Sequence, residues 1–361
     1  MADYTIELYT STGTRQASIT DYIGTVQVGR IVNGIDVAKF SVATSAYYAS
    51  LITAGAIVEI YREDTMAGIA VYREFAGSVQ VTTTTIAEVA TLDVTALGEN
   101  FWLSTRQVAY YAGVANRSQF TAQASETIMK NLFTYNFGAS ATVGNGRFLD
   151  GRVTGATTTA TTGGGATQSI SVAGINLLTA LQKVQQNANG DFALVYTAPA
   201  TFTFTWYAGQ LGTNRTASVI FSVGNGTVGR LSMATDQADD ATAVIVAGQG
   251  EGSARAITTR PTSLPTGLAL REGYVDARNQ KTLPEYQQLG DAVLAQYARD
   301  RYSVEASIIQ SNALMYGRDY FFGDLVTVDT GDGSVTRKIT TVNLRFDKDG
   351  REVIDIGLSP N

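Results

Sequence analysis

Short stretches in which apolar and polar residues alternate run along most of this chain, the period-2 pattern of strands with one buried face. The alternation is cleanest near the C-terminus, where Val342, Leu344 and Phe346 interleave with Thr341, Asn343 and Arg345, and Ile354, Ile356 and Leu358 follow. Between the two runs, Lys348, Asp349 and Gly350 suit a type I turn closed by a bulge, with Gly350 at the positive-φ position. That register pairs Asp347 with Arg351, Leu344 with Ile354 and Val342 with Ile356, so like faces like across the hairpin. Upstream, the apolar phase slips between Ile339 and Val342, which predicts a bulge near Thr340 and Thr341.

The first hundred residues carry the same texture: YTIELY, VQVGRIV, KFSVAT, AIVEIYRE, GIAVYREFAGSVQV and IAEVATLDVTAL, with Asn33 to Asp36 breaking two runs as a hairpin would. Strands at this spacing predict an antiparallel barrel or sandwich over 1–115. From 116 to 240 the pattern becomes α+β. A helix is expected over 125–136, with Ile128, Met129, Leu132 and Phe133 on one stripe and Ser125 as N-cap. A second is expected over 176–189, burying Leu177, Leu178, Leu181 and Val184 and stopped at Asn189 and Gly190. An aromatic hairpin over 191–207 follows, with Phe192, Leu194 and Tyr196 opposite Phe202, Phe204 and Trp206 across a turn at Ala198, Pro199 and Ala200. Helices, hairpin and the ASVIFSV strand are expected to form one compact module. The Gly- and Thr-rich stretch 151–174 suits a linker or an exposed β-arm, and a mobile surface loop is expected there. Residues 241–361 return to strands around an inserted helix, 284–300, with Leu289, Val293, Leu294 and Tyr297 inward and Pro284 near its first position.

Composition narrows the chemistry. At 361 residues the chain is long enough for two or three domains, and 44% hydrophobic against 16% charged is globular. The absence of His and Cys removes disulfides, thiolate zinc sites, cysteine nucleophiles and imidazole triads. Oxygen-ligand metals and two-carboxylate catalysis stay open. A net charge of −6 disfavours binding that depends on neutralising phosphates, while a surface that DNA slides past is compatible with it. No apolar run approaches the ~18 residues needed to cross a bilayer, so no membrane insertion is expected. MADYTIELYT has neither the basic start nor the apolar block of a secretion signal, and reads as a strand with Tyr4, Ile6 and Leu8 on one face.

Each motif that invites chemistry has a plainer reading. The strand Ala243 to Ala247 runs into GQGEGS, but Ser253 stands at the third fingerprint position and no helix follows to receive a pyrophosphate, so a Gly-rich corner is expected. Asp347, Asp349 and Gly350, like Asp329, Asp332 and Gly333, hold fragments of a calcium loop without its ligand ladder, and turn chemistry explains both. The interleaved aromatics of 191–207 lack the basic residues of a base-stacking platform, which leaves a packed sheet face. Glu59, Glu63, Glu74 and Asp324 are candidates for a glycosidase pair, with nothing to raise one pair over another. No catalytic residue, cofactor-binding residue or metal ligand is assigned.

In order, GQGEGSAR after an apolar strand, LREGYVDARN, the QLGDAVLAQY helix, YGRDYFFGDLVTV and the RKITTVNLRFDKDG–DIGL hairpin resemble the siphovirus ReqiPepy6 Gp37-like family of long-tailed phages. The resemblance is dense from Ala243 to Leu358 and looser before it. It implies a mainly β chain with two tail-tube-like antiparallel β-barrels (1–115 and 241–361) around the smaller α+β module. It also implies a homotrimeric tail hub, or baseplate hub, without catalysis, located at the tail tip of the virion and assembled in the host cytoplasm. The partners so implied are the distal tail protein ring, the tape measure protein and tip, spike or fibre proteins, with transient contact to DNA in the lumen. A tail-associated carboxylate-dependent cell-wall hydrolase and a carbohydrate-binding surface protein are the alternatives.

Overall fold

The computed structural model describes residues 3–109, 117–198, 201–278, 280, 282–300, 302–309, 311 and 314–360. Strands dominate, as the alternation predicts. The N-terminal part supplies β1 (Asp3–Tyr9), β2 (Arg15–Ile19), β3 (Ile23–Ile31), β4 (Val37–Ala43), β5 (Ile57–Asp64), β6 (Ile69–Thr85) and β7 (Thr91–Gly98). Ile6 and Leu8 point into the core, and Asn33 takes a positive φ in the β3–β4 turn. β6 continues to Thr85 because Val81 to Thr85 are all β-branched. The expected strand over IAEVA is instead an exposed turn, and β7 begins at Thr91.

A four-residue helix, α1 (Phe101–Ser104), leads to a middle module: β8 (Ser118–Ala124), α2 (Ser125–Asn136), β9 (Ala156–Thr158), β10 (Thr167–Val172), α3 (Leu177–Gln185), β11 (Gly190–Ala198) and β12 (Thr201–Ala208). The expected helical stripes are buried, and the hairpin pairs Phe192 with Trp206, Leu194 with Phe204 and Tyr196 with Phe202. Its rings stack on α2, Phe133 lying 5.1 Å from Phe204, so the aromatic face is core. Pro199 and Ala200 of the expected turn lie outside the described residues, as does the 115–116 boundary.

Three local expectations change. Ser125 is the first helical residue and caps nothing; its Oγ donates to the Ala166 carbonyl at 2.6 Å. α3 stops at Gln185 under an Asn176 cap whose side chain accepts from Thr179 N, and 186–189 form the turn. The stretch 151–174 is no free loop. β9 pairs in parallel with β12 and β10 pairs with β8, so Thr contributes its strand propensity where Gly content suggested mobility.

The last part contributes β13 (Ile220–Phe221), β14 (Val228–Thr235), β15 (Ala243–Ala247), β16 (Ile257–Arg260), β17 (Glu272–Asp276), α4 (Leu283–Asp300), β18 (Tyr302–Ile308), β19 (Leu325–Asp329), β20 (Ser334–Asp347) and β21 (Glu352–Ser359). A 13-stranded sheet runs β14-β18-β21-β20-β3-β4-β7-β6-β5-β1-β2, with β19 on β20 and β13 on β19. The two ends of the chain, expected as separate barrels, are thus joined strand to strand. No closed barrel is present among the described residues, whose path ends at β2 and β14. The join is β3 with β20, where Val28 faces Leu344 and Val26 faces Phe346 in one continuous core.

Two assignments of the sequence reading shift with this topology. β13 and β14, expected in the 116–240 module, pair into the large sheet. β15 to β17 and α4 leave the C-terminal barrel as a unit of their own, a small sheet with β15 parallel to β17 under α4. Leu289, Val293, Leu294 and Tyr297 pack on its small core of Val244, Val246, Ala277 and Tyr286. The GQGEGS corner joins β15 to β16 through a single 3-10 turn, Gly252–Ala254, and no α-helix stands between the two strands.

The C-terminal hairpin forms in the expected register, Leu344 opposite Ile354 and Val342 opposite Ile356, with the bulge between Ile339 and Thr341. Gly350 N donates to Asp347 O at 3.1 Å, and Gly350 sits at φ 76°. Gly350→Val is therefore expected to destabilise by about 1–2 kcal/mol. A urea midpoint equal to wild type would refute the strain argument.

Candidate functional site

Side chains from both chain ends meet in a buried ionic seam. Arg62 on β5 holds Glu352 on β21 in a two-pronged pair, Nε to Oε1 at 2.6 Å and Nη2 to Oε2 at 2.8 Å. Its Nη1 donates to the Tyr316 carbonyl at 3.0 Å, and the Tyr4 hydroxyl also donates to Glu352. Burial alone would lower the Arg62 pKa, but Glu352 and the surrounding hydroxyls hold it above its ordinary value. Tyr4 itself is stacked on Phe346, ring centroids 3.5 Å apart. YGRDYFFGD, one of the stretches singled out in the sequence, is the C-terminal side of this clasp. Gly317, at φ +84°, leaves room for the guanidinium, since a Cβ there would lie 2.6 Å from Arg62 Nη1. Arg318 reaches the Ala67 carbonyl at the β5–β6 turn.

Beside the clasp, Glu74 accepts from Tyr72 at 2.7 Å, Tyr316 at 2.8 Å and Arg30 at 3.4 Å. Arg30 also reaches Asp36 and lies over the Phe322 ring at 4.3 Å. A cavity of about 360 Å³ opens here, lined in part by Arg30, Asp36, Arg73, Glu74 and Glu99. Burial pushes the Glu99 carboxyl up to about 7, and neighbouring Asp36 adds to the shift. Because the folded-state value exceeds the unfolded one near 4.5, the stability Glu99 contributes is present below pH 4.5 and lost as pH rises through 7. Glu99→Gln is expected to melt above wild type at pH 8 and level with it at pH 4. Equal melting at both values would show that Glu99 titrates normally.

Two further constellations fasten the middle module. Asp191, fully buried on β11, accepts from Lys338 of β20 at 3.0 and 3.1 Å, from Asn33 of the β3–β4 turn at 2.8 Å and from Leu211 N at 2.9 Å. Asn33 Oδ1 in turn accepts from Phe192 N. Inside the module, Glu126 in the first turn of α2 accepts from Lys130 Nζ, from Thr162 N and Oγ1, and from Gly164 N. Burial opposes its ionisation, yet Lys130 and the Gly164 and Thr162 donors outweigh burial and lower its pKa to about 2. Its contribution is present above pH 4.5 and lost as pH falls toward 2. Glu126→Gln is expected to abolish that acid-limb loss in urea melts between pH 5 and 2; an unchanged limb would refute the assignment.

The carboxylates noted in the sequence are scattered among such joints. Glu59 is held by Arg73 and Tyr61, Glu74 by the seam, and Asp324 by Arg215, Thr213 N and Phe321 N, while Glu63 lies opposite Asp3 in the β1–β5 pair. Asp347 accepts from Asp349 N and Arg351 N, and Asp329 from Gly331 N and Ser222, which is turn chemistry in both places. Among the described residues no three acidic side chains gather as metal ligands. Sequence reasoning missed Arg62, Asp191, Lys338 and Glu99. A charged residue at an inward position of a strand is the signal that marks Arg62, which follows Val58 and Ile60 on the inward face of β5.

The family model for Siphovirus ReqiPepy6 Gp37-like protein matches residues 5–357. No curated protein matches the sequence. Among solved structures, the 43 kDa tail protein of prophage MuSo2 from Shewanella oneidensis superposes with a TM-score of 0.62 at 12% identity, covering 98% of this chain and 97% of that one. A tail protein from Neisseria meningitidis MC58 gives 0.61 at 10% identity, covering 99% and 97%. The E. coli c3393 protein, a type VI secretion component described as similar to the T4 phage tail proteins gp27 and gp5, gives 0.50 at 12%, covering 94% and 74%. At these identities the likeness is one of fold.

Proposed function

The chain belongs to the Siphovirus ReqiPepy6 Gp37-like protein family and is a structural protein of the phage tail, and on that premise we propose that it is the tail hub. Three copies form a ring at the tail tip in the virion. The β1–β7 half and the β18–β21 half of each chain act as two tube-like units, so three chains offer six such units to the tail tube and distal tail ring, and three-fold symmetry to the tip or spike. The observation that carries this reading is the single sheet joining both chain ends across β3 and β20, backed by the Arg62–Glu352 clasp. A joint of buried ion pairs fixes the two units rigidly, which a ring built to match another ring requires. Likeness of fold to c3393, itself compared with gp27 and gp5, supports the same placement.

The tape measure protein and the tip, spike or fibre proteins are its proposed partners, and DNA passes through the ring without being gripped, in keeping with the net charge of −6. No catalysis is proposed, because Glu59, Glu74 and Asp324 are each committed to cations and neighbouring donors. Light scattering of the purified chain with class averages of negatively stained particles tests the proposal. A three-fold ring is expected. A stable monomer that does not enter tails would overturn the hub reading, and peptidoglycan clearing abolished by a single Glu substitution would replace it with hydrolysis.

A further inference from the structure

β6 outruns its neighbour. β5 pairs with β6 only as far as Ile57 with Ser78, and the Val79 backbone bonds to Gly55 and Ala56. From Gln80 to Thr85 β6 is paired with β7 alone, and its other edge meets no backbone partner among the described residues. Val81 to Thr85 are exposed, and QVTTTT holds no charge and no proline. Natural sheets blunt free edges with Lys, Pro or bulges, since an unprotected row of N–H and C=O groups recruits another strand. The bulge between Val79 and Val81 falls at Gln80, the first residue of this segment, and leaves Val81 to Thr85 open. Val81 within it and Ile86 and Val89 just beyond it are exposed apolar residues.

A second free edge lies at the far end of the sheet. β14 pairs with β18 alone, and its eight residues, VGRLSMAT, carry one charge, Arg230. β2, the other terminal strand, is five residues long and its Arg15 is paired with Glu7. Arg230 and Glu88, at the β6–β7 turn, are both exposed and neither has an ion-pair partner among the described residues. One free edge near Glu88 and another bearing Arg230 are complementary in charge, in apolar character (Met233 is exposed on β14) and in length. Two different edges meeting is a heterologous contact, the kind that closes rings.

We propose that the Gln80–Thr85 edge of β6 in one copy receives β14 of the next copy as an added strand. This inference rests on the ring reading and names its seam. The chain has no native thiol, so introduced cysteines report it cleanly. Thr82→Cys, Thr83→Cys or Thr84→Cys is combined in one chain with Leu231→Cys, Ser232→Cys or Met233→Cys, and the assembled protein is oxidised. A covalent trimer from at least one combination, and none from the single variants, is expected. Intact trimers that cross-link in no combination would overturn the seam and leave the hub reading standing. Self-linked dimers from Thr83→Cys alone would show β6 pairing with itself, and monomers throughout would sink seam and ring together. Val81→Lys with Thr83→Lys, at exposed positions, is expected to weaken assembly about tenfold or more with an unchanged circular dichroism spectrum.

Discussion

Asp191→Ala is expected to destabilise the protein by about 3–5 kcal/mol, the cost of leaving a buried charge without its counter-ion. Lys338 retains only 9% of its exposure and has both Asp191 oxygens as its acceptors. The substitution also strands Leu211 N and Asn33 Nδ2, each of which donates to Asp191. Because β3–β4 turn, β11 and β20 all meet at this carboxylate, the loss should detach the middle module before the sheet unfolds. Hydrogen exchange is expected to rise first at residues 190–194 and 33–34, and urea unfolding to become biphasic. Pairing Asp191→Leu with Lys338→Met removes both charges and should recover most of the loss, since replacing a whole buried pair by apolar groups is close to neutral. A double variant as unstable as the single one would mean that the backbone donors, rather than the ion pair, set the cost.

The difference between what the chain writes locally and what it leaves unwritten explains which features were legible. The β20–β21 register, its bulge, the stripes of α2 and α3 and the aromatic hairpin each follow from neighbours within about twenty residues, where side-chain period and turn chemistry decide. The pairing of β3 with β20 does not, because alternation says that a strand has a wet and a dry face but not which strand lies beside it. The barrel or sandwich expected from that alternation over 1–115 and the second barrel implied by the resemblance over 241–361 therefore share one sheet, and β14, expected in the middle module, lies at its edge. β15 to β17 separated for the same reason: Ala243 to Ala247 is apolar at every position, which suits a parallel strand under a helix as well as a barrel wall. Glu126 shows how composition misleads. Gly and Thr over 151–174 signalled mobility, yet the backbone there supplies donors that a buried carboxylate needs. The ionic joints were hardest to foresee, as Asp191 and Lys338 meet only after three separate elements have packed.

At the clasp the two partners should behave unequally. Glu352→Ala is expected to cost more than Arg62→Ala, about 4–5 against about 3 kcal/mol. The Arg62 side chain is 2% exposed and that of Glu352 is 13% exposed. A guanidinium cannot shed its proton, so Arg62 left behind must stay charged in the core with only the Tyr316 carbonyl and the Tyr4 and Tyr72 hydroxyls. Glu352 left behind is partly exposed, so water can solvate its charge. Urea midpoints of both variants at pH 7 check the order. Equal costs at pH 7 would mean that the hydrogen bonds to Tyr316 and Tyr4, and not the buried charge, hold the halves of the sheet together.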